Sequence, residues 1–179
     1  MRNRVRIIGG EWRSRLLRFP DVPGLRPTPD RMRETLFNWL GQDLTGRVCL
    51  DLFAGSGALG LEAASRGAKL VVLAERDARA FHALQENVRA LNARSVELVR
   101  MDALEFLAAD ARTYDVVFLD PPYAMRERSR FLDAVRGRLA PGALVYLESG
   151  QPLQAPPGWQ ILRQARAGAA HCQLLRIAS

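Results

Sequence analysis

From Val48 onward the chain alternates short apolar runs with amphipathic stretches, and this rhythm constrains the fold more than any other feature. The runs 48–53, 70–75, 96–101, 114–119 and 143–148 read as buried strands, being short and rich in β-branched and aromatic residues. The stretches near 57–66, 78–91, 103–109 and 127–139 read as helices. In the second, Asp77 is placed to cap the first turn, with Phe81, Leu84, Val88 and Leu91 as the inward face. Alternating units of this size require right-handed crossovers and a parallel sheet covered on both faces. After Ser149 the rhythm breaks. Gln151 to Gly158 is proline-rich and too short for a covering helix, and 160–166 and 172–177 read as two strands close in sequence, an antiparallel pair at one sheet edge. The expected fold class is α/β, a mostly parallel twisted sheet with an antiparallel edge strand.

The segment before this body has a different pattern. Arg4-Val5-Arg6-Ile7-Ile8 and Arg15-Leu16-Leu17-Arg18-Phe19 flank a short link and predict a hairpin whose arginines share one solvated surface. Two strands alone are marginal, so the hairpin should lean on the main body. Pro20 to Pro27 is a loop, after which Thr28 is suited to cap a helix that has Pro29 at its first position. Met32, Leu36, Trp39 and Leu40 make one apolar face, from which Arg31 and Arg33 are expected to project away. The expected division is an N-terminal basic hairpin and helix, 1–41, followed by the main domain, 42–179.

The formal net charge is +7, and residues 1 to 33 hold nine arginines against Glu11, Asp21 and Asp30, so nearly all the excess lies at the front. A localised positive surface points to a polyanionic partner. Cys49 and Cys172 sit inside apolar runs without metal-ligand spacing, which predicts buried free thiols, a reducing compartment and no metal centre. No run is long and apolar enough to cross a membrane, and the N-terminus lacks a signal-type apolar core. A soluble cytoplasmic protein is expected.

Two motifs carry the chemistry. The first, Asp51-Leu52-Phe53-Ala54-Gly55-Ser56-Gly57-Ala58-Leu59-Gly60, joins the first parallel strand to its helix. Its glycines allow a tight turn and close backbone approach, at a helix N-terminus that faces a ligand. Glu75 ends the next strand, where a carboxylate suits ribose hydroxyls, and Asp102 ends the third, where it suits an adenine amino group. The letters also satisfy a dinucleotide-binding pattern, but Asp51 would repel a pyrophosphate and suits a cationic or amine-bearing ligand. The second motif is Asp120-Pro121-Pro122-Tyr123, at the end of the fourth strand. Its prolines hold the backbone extended and remove two donors, leaving an acidic side chain, bare carbonyls and an aromatic face. That combination suits a planar ring bearing an exocyclic amine. Four consecutive strands thus end in an acid at the edge where open parallel sheets bind ligands.

This set of motifs resembles the class I methyltransferases that use S-adenosylmethionine, which implies a Rossmann-like fold. The segments Arg6 to Arg13 and Arg26 to Leu40 resemble, more narrowly, the RsmD-type small-subunit (16S) rRNA guanine-N2 methyltransferases. The similarity runs from about residue 4 to residue 149; it departs after Tyr123 and again at Ala167-Gly168-Ala169-Ala170-His171. The resemblance implies that Asp51, Phe53, Ala54, Gly55, Ser56 and Gly57 face the methionine part of the cofactor. It places Glu75, with Arg76 beside it, on the ribose, and Asp102 with Ala103 on the adenine. The base would be turned out of its helix or loop to meet Asp120, Pro121, Pro122 and Tyr123. Arg4, Arg6, Arg13, Arg15, Arg26, Arg31 and Arg33 are the candidates for binding RNA, with Arg2 and Arg18 on the same hairpin. The implied partner is small-subunit rRNA, within the small subunit or a late assembly particle, met by a monomer.

The residues themselves leave other readings open. An adenine-N6 methyltransferase acting on DNA or RNA would use the same acceptors. A nicotinamide oxidoreductase would have to accommodate Asp51, and a non-enzymatic ribosome-assembly factor would keep the fold alone.

Overall fold

The computed structural model describes residues 3–122, 128–152 and 154–179. Nine strands are seen among these residues: β1 (Arg4–Arg6), β2 (Leu16–Arg18), β3 (Val48–Asp51), β4 (Leu70–Ala74), β5 (Val96–Val99), β6 (Tyr114–Leu119), β7 (Leu139–Ser149), β8 (Trp159–Ala167) and β9 (Ala170–Ile177). The helices are α1 (Asp30–Trp39), α2 (Ala58–Ser65), α3 (Ala78–Leu91), α4 (Ala103–Ala109) and α5 (Arg128–Val135), the last running into a tight turn at Arg136–Arg138. Strands β3 to β9 form one sheet in the order β5-β4-β3-β6-β7-β9-β8. All its pairings are parallel except those of β9, which runs antiparallel to both β7 and β8. The strand order reverses between β3 and β6, and the crevice outside their carboxyl ends is where such sheets bind ligands.

The two faces of the sheet bury separate cores, as period-2 alternation requires. Cys49, Val71, Leu73, Val116 and Phe118 pack towards α1, α2, α3 and the hairpin. Leu50, Val72, Ala74, Val117, Leu119, Val145 and Leu147 pack towards α4 and α5. Val5, Ile7, Trp12 and Leu17 belong to the first of these cores, so the hairpin does lean on the main body. Its outer face carries the arginines, with Arg4 directly opposite Arg18. Both cysteines are free and buried, and burial pushes each thiol up to about 12.

Two sequence expectations about helices need correction. The inward face of α3 is Ala80, Leu84, Asn87 and Leu91, while Phe81 is only partly buried. Asn87 earns its buried place by pairing with the backbone of Arg18, accepting at 3.1 Å and donating at 2.7 Å. Thr28 does not cap α1 with its side chain, because the residue at the cap is Pro29 and the Thr28 hydroxyl is engaged elsewhere.

Arg33 is the third departure. It does not project from α1 into solvent but is fully buried, 0 % exposed. Its guanidinium donates to Glu62 Oε2 (3.3 Å), Asp30 Oδ1 (2.5 Å), the Arg6 carbonyl (2.8 Å) and the Thr28 carbonyl (3.1 Å). Glu62, also 0 % exposed, further accepts from the backbone N–H groups of Ile8 and Gly9 and from Arg66. One matched cluster of opposite charges therefore joins the hairpin, α1 and α2.

Candidate active site

The carboxyl ends of β3, β4 and β6 open onto a cavity of about 480 Å³, a size that suits a ligand of nucleoside dimensions. The loop after β3 forms its floor. Gly55 and Gly57 both have positive φ, 53° and 81°. A side chain at Gly57 would collide with Leu84 and Leu61, whereas the nearest atom to a Cβ on Gly55 is 3.7 Å away. The first glycine leaves the cavity open and the second lets α2 pack close. Glu75 fixes this loop from β4, accepting from Gly55 N–H through Oε2 (2.8 Å) and from Asp77 N–H through Oε1 (2.8 Å).

Asp51, at the end of β3, is only 1 % exposed. Its Oδ2 accepts from Gly60 N–H in the first turn of α2 (3.1 Å). Its Oδ1 is buried without a hydrogen-bond partner among the described residues. Burial, above all, raises its pKa to about 7, with the backbone N–H groups of Gly60 and Phe53 opposing the effect and the charge of Glu75 adding to it. A buried acceptor left over in a cavity wall is a place for a donor or a positive charge. Asp102 caps α4 through Oδ1, accepting from Leu104 and Glu105 N–H, and its Oδ2 lies 3.9 Å from Arg76 Nη1.

The cavity continues to Asp120, Pro121 and Pro122. Here hydroxyl groups meet the acids. Thr28 Oγ1 lies 3.4 Å from Asp120 Oδ2 and 3.3 Å from Glu148 Oε2, bridging the ends of β6 and β7. Tyr146 donates to Glu148 Oε2 at 3.2 Å and lies 3.1 Å from Cys172 Sγ. Burial and the neighbouring charges of Glu148 and Asp51 hold Asp120 well above the ordinary carboxylate range, against the pull of the Thr28 hydroxyl and of the positive charge of Arg128. A carboxyl so placed readily accepts a proton.

Most of the residues singled out from the sequence converge on this cavity. Asp51, Phe53, Ala54, Gly55 and Ser56 line it from the first loop, and Glu75, Arg76, Asp102 and Ala103 from the next two. Gly57 shapes the turn rather than the wall. Tyr123 lies outside the described residues, as does Arg2. Arg26 lines the cavity mouth, while Arg4, Arg6, Arg13, Arg15, Arg18 and Arg31 are exposed elsewhere. Arg15 also donates to the Ala90 carbonyl (3.0 Å). Arg33 is the exception, since its burial against Glu62 removes it from any surface. Thr28 and Glu148 were not anticipated from the sequence. Glu148 ends the fifth strand, so the pattern that marked the other four acids extends to it; Thr28 has no such signal. The divergent turn at Ala167, Ala169 and Ala170 closes the cavity with small side chains.

A family model described as Conserved hypothetical protein 95 matches residues 5–176. The Ribosomal RNA small subunit methyltransferase D of Escherichia coli K12 is 46% identical over 170 residues, which cover 92% of this chain and 85% of the relative. The Haemophilus influenzae protein of the same name is 42% identical, covering 92% and 89%. Among solved structures, the yhhF protein of Escherichia coli superposes with a TM-score of 0.86 at 41% identity, covering 97% of this chain and 98% of the other.

Proposed function

Because this chain belongs to the Conserved hypothetical protein 95 family, together with proteins named Ribosomal RNA small subunit methyltransferase D, we propose that it methylates small-subunit rRNA. The donor is S-adenosylmethionine and the acceptor is the exocyclic N2 amine of a guanine. The observation that carries this reading is the cavity that joins the glycine loop after β3 to the Asp120-Pro121-Pro122 turn after β6. One end has a buried acceptor to spare, and the other has acids and carbonyls that suit an amine.

The residues fit the donor. The unpartnered Asp51 Oδ1 suits its positively charged methionine end, the carboxylate of Glu75 retains free lone pairs for ribose hydroxyls, and Asp102 with Ala103 borders the adenine place. Arg76 closes that side. When bound, S-adenosylmethionine supplies an electrophilic methyl group on a sulfonium sulfur. The chain's own work is at the acceptor. A guanine N2 is a poor nucleophile because its lone pair is delocalised into the ring. Asp120 and the Pro121 carbonyl accept its hydrogens and aim it, while Pro122 and Tyr123 complete the base platform. Positioning of this kind contributes on the order of several kcal/mol. As N2 forms its new bond it must shed a proton, and Asp120, with its raised pKa, takes it.

Residues 1–41 serve as the RNA-binding extension of the methyltransferase domain, 42–179. Like charges placed directly opposite on the hairpin, Arg4 and Arg18, are unfavourable in isolation and favoured beside phosphates. The substrate is the small subunit or a late assembly particle, met by a monomer in the cytoplasm. Labelled methyl transfer to unmodified small subunits, free small-subunit rRNA and duplex DNA, followed by nucleoside identification, tests the reading. N2-methylguanosine from subunits or rRNA is expected; N6-methyladenosine or no transfer would contradict it.

A further inference from the structure

Glu148 lies beside the reacting end of the cavity but has no role in the reaction just described. It is 6 % exposed, lines the cavity, and lies one residue before the end of β7, the parallel neighbour of β6. Leu119 pairs with Leu147, so the register sets Asp120 and Glu148 side by side at the sheet edge. Thr28 and Tyr146 hydroxyls both reach Glu148 Oε2, at 3.3 and 3.2 Å, and hold the carboxyl in place. Two buried acids side by side repel each other, an effect that Arg128 and the Thr28 and Tyr146 hydroxyls offset only in part, and a ligand with two adjacent donors suits both acids at once.

We infer that Glu148 is a specificity-determining residue, whose carboxylate accepts the N1–H of the target guanine while Asp120 accepts the N2 amine. This rests on the guanine-N2 reading and deepens it. Guanine presents adjacent donors at N1 and N2, which match adjacent acceptors on β7 and β6. Adenine presents its N6 amine beside an unprotonated N1, an acceptor that would face Glu148 across a buried contact. Acceptor against acceptor in a dry site is a strong rejection, because neither group can recover its lost water. The same Asp120 turn therefore takes guanine and refuses adenine through its neighbour on the next strand.

A probe of this contact is 2-aminopurine, which keeps the 2-amine but lacks O6 and has an unprotonated N1; comparison with a Glu148 variant separates the N1 contact from the loss of O6. Small subunits are reconstituted with rRNA carrying either guanine or 2-aminopurine at the target position, and methyl transfer is compared for the native enzyme and Glu148→Gln. The native enzyme should prefer guanine by about a hundredfold or more, since sites built around a buried donor reject analogues that lack it. Glutamine can donate to an unprotonated N1, so in Glu148→Gln the preference should shrink at least about tenfold, with 2-aminopurine transfer rising in absolute terms. An unchanged preference in a variant that still folds and methylates guanine would overturn the assignment. If the native enzyme methylates neither base, it is the guanine-N2 reading that fails. Because Glu148→Gln is isosteric and removes a buried like charge, loss of fold is an adverse result for the inference too.

Discussion

Two charged clusters flank the segment from Thr28 to Arg33, and they are built on opposite principles. In the first, Arg33 meets Glu62 and Asp30, and each is matched by a donor or acceptor of the right kind. In the second, Thr28 sits between Asp120 and Glu148, with Asp51 close enough to raise the pKa of Asp120 further. The first holds opposite charges and ties the arginine-rich hairpin to α2. The second sets acids side by side, with the Thr28 hydroxyl and the Arg128 charge offsetting their repulsion only in part, and is costly to the fold. Arg33 Nε donates to the Thr28 carbonyl (3.1 Å), so the matched cluster anchors the strand of chain that enters the mismatched one. Stability and chemistry have been separated by a few residues: structural ties satisfy their charges, and the site leaves acceptors over for a substrate.

The difference can be broken most forcefully at Glu62. Glu62→Ala leaves Arg33 buried without its carboxylate and should cost about 3–5 kcal/mol, read as a lower urea midpoint. A loss below about 1 kcal/mol would mean the tie is not structural.

Asp51 sharpens the contrast through pH. Its folded pKa is about 7, above the ordinary 3.8, so the native state binds its proton more tightly than the unfolded chain does. The stability this confers is present below 3.8, is lost as pH rises towards about 7, and is level above that. Asp51→Asn should therefore flatten the fall in urea-unfolding free energy across that interval by roughly 2–4 kcal/mol. An unaltered slope would contradict the burial argument.

Thr28 offers a smaller effect at the site. Thr28→Val removes the hydroxyl between the two acids, a loss of about 1.5–3 kcal/mol for hydrogen bonds to charged groups. Single-turnover methyl transfer should fall about ten- to a hundredfold, and the melting temperature should fall as well, because the same hydrogen bonds are lost from the fold. Rescue by Thr28→Ser would separate the hydroxyl from packing.

The smallest change to the protein itself comes from the hairpin. Reversing both Arg13 and Arg15 to Glu should reduce the salt dependence of RNA binding by about one unit of slope for each phosphate that is no longer neutralised. Cofactor affinity should stay the same. RNA affinity equal to that of the native protein would remove these two arginines from the interface.

The same contrast explains what was legible in the sequence. The limits expected for α3 and α4, 78–91 and 103–109, match those observed; Asp77 marks the first as a cap in the sequence, while the cap that Asp102 makes on α4 is seen only in the structure. The glycine turn and the acids ending β3, β4 and β6 stood out because strand, turn and helix follow each other directly. Arg33 and Thr28 were misread for one reason. Helical periodicity and capping rules see only neighbours in sequence, whereas Arg33 pairs with a residue 29 positions away and Thr28 with one 92 positions away. Phe81 was displaced by Ala80 and Asn87, because the hairpin packs on α3 through Arg18. Glu148 was within reach, since it ends the apolar run 143–148 as the other acids end theirs, but that run hid how deeply it is buried.

The central claim is that the reaction end of the cavity stores like charge at the expense of the fold. The most direct test is Asp120→Asn, assayed in one preparation for urea unfolding near neutral pH and for single-turnover methyl transfer to small subunits. The account predicts a variant that binds S-adenosylmethionine, is more stable than the native protein, and loses transfer by about 10²–10⁴-fold. A variant that is less stable and still transfers methyl groups at the native rate would contradict it.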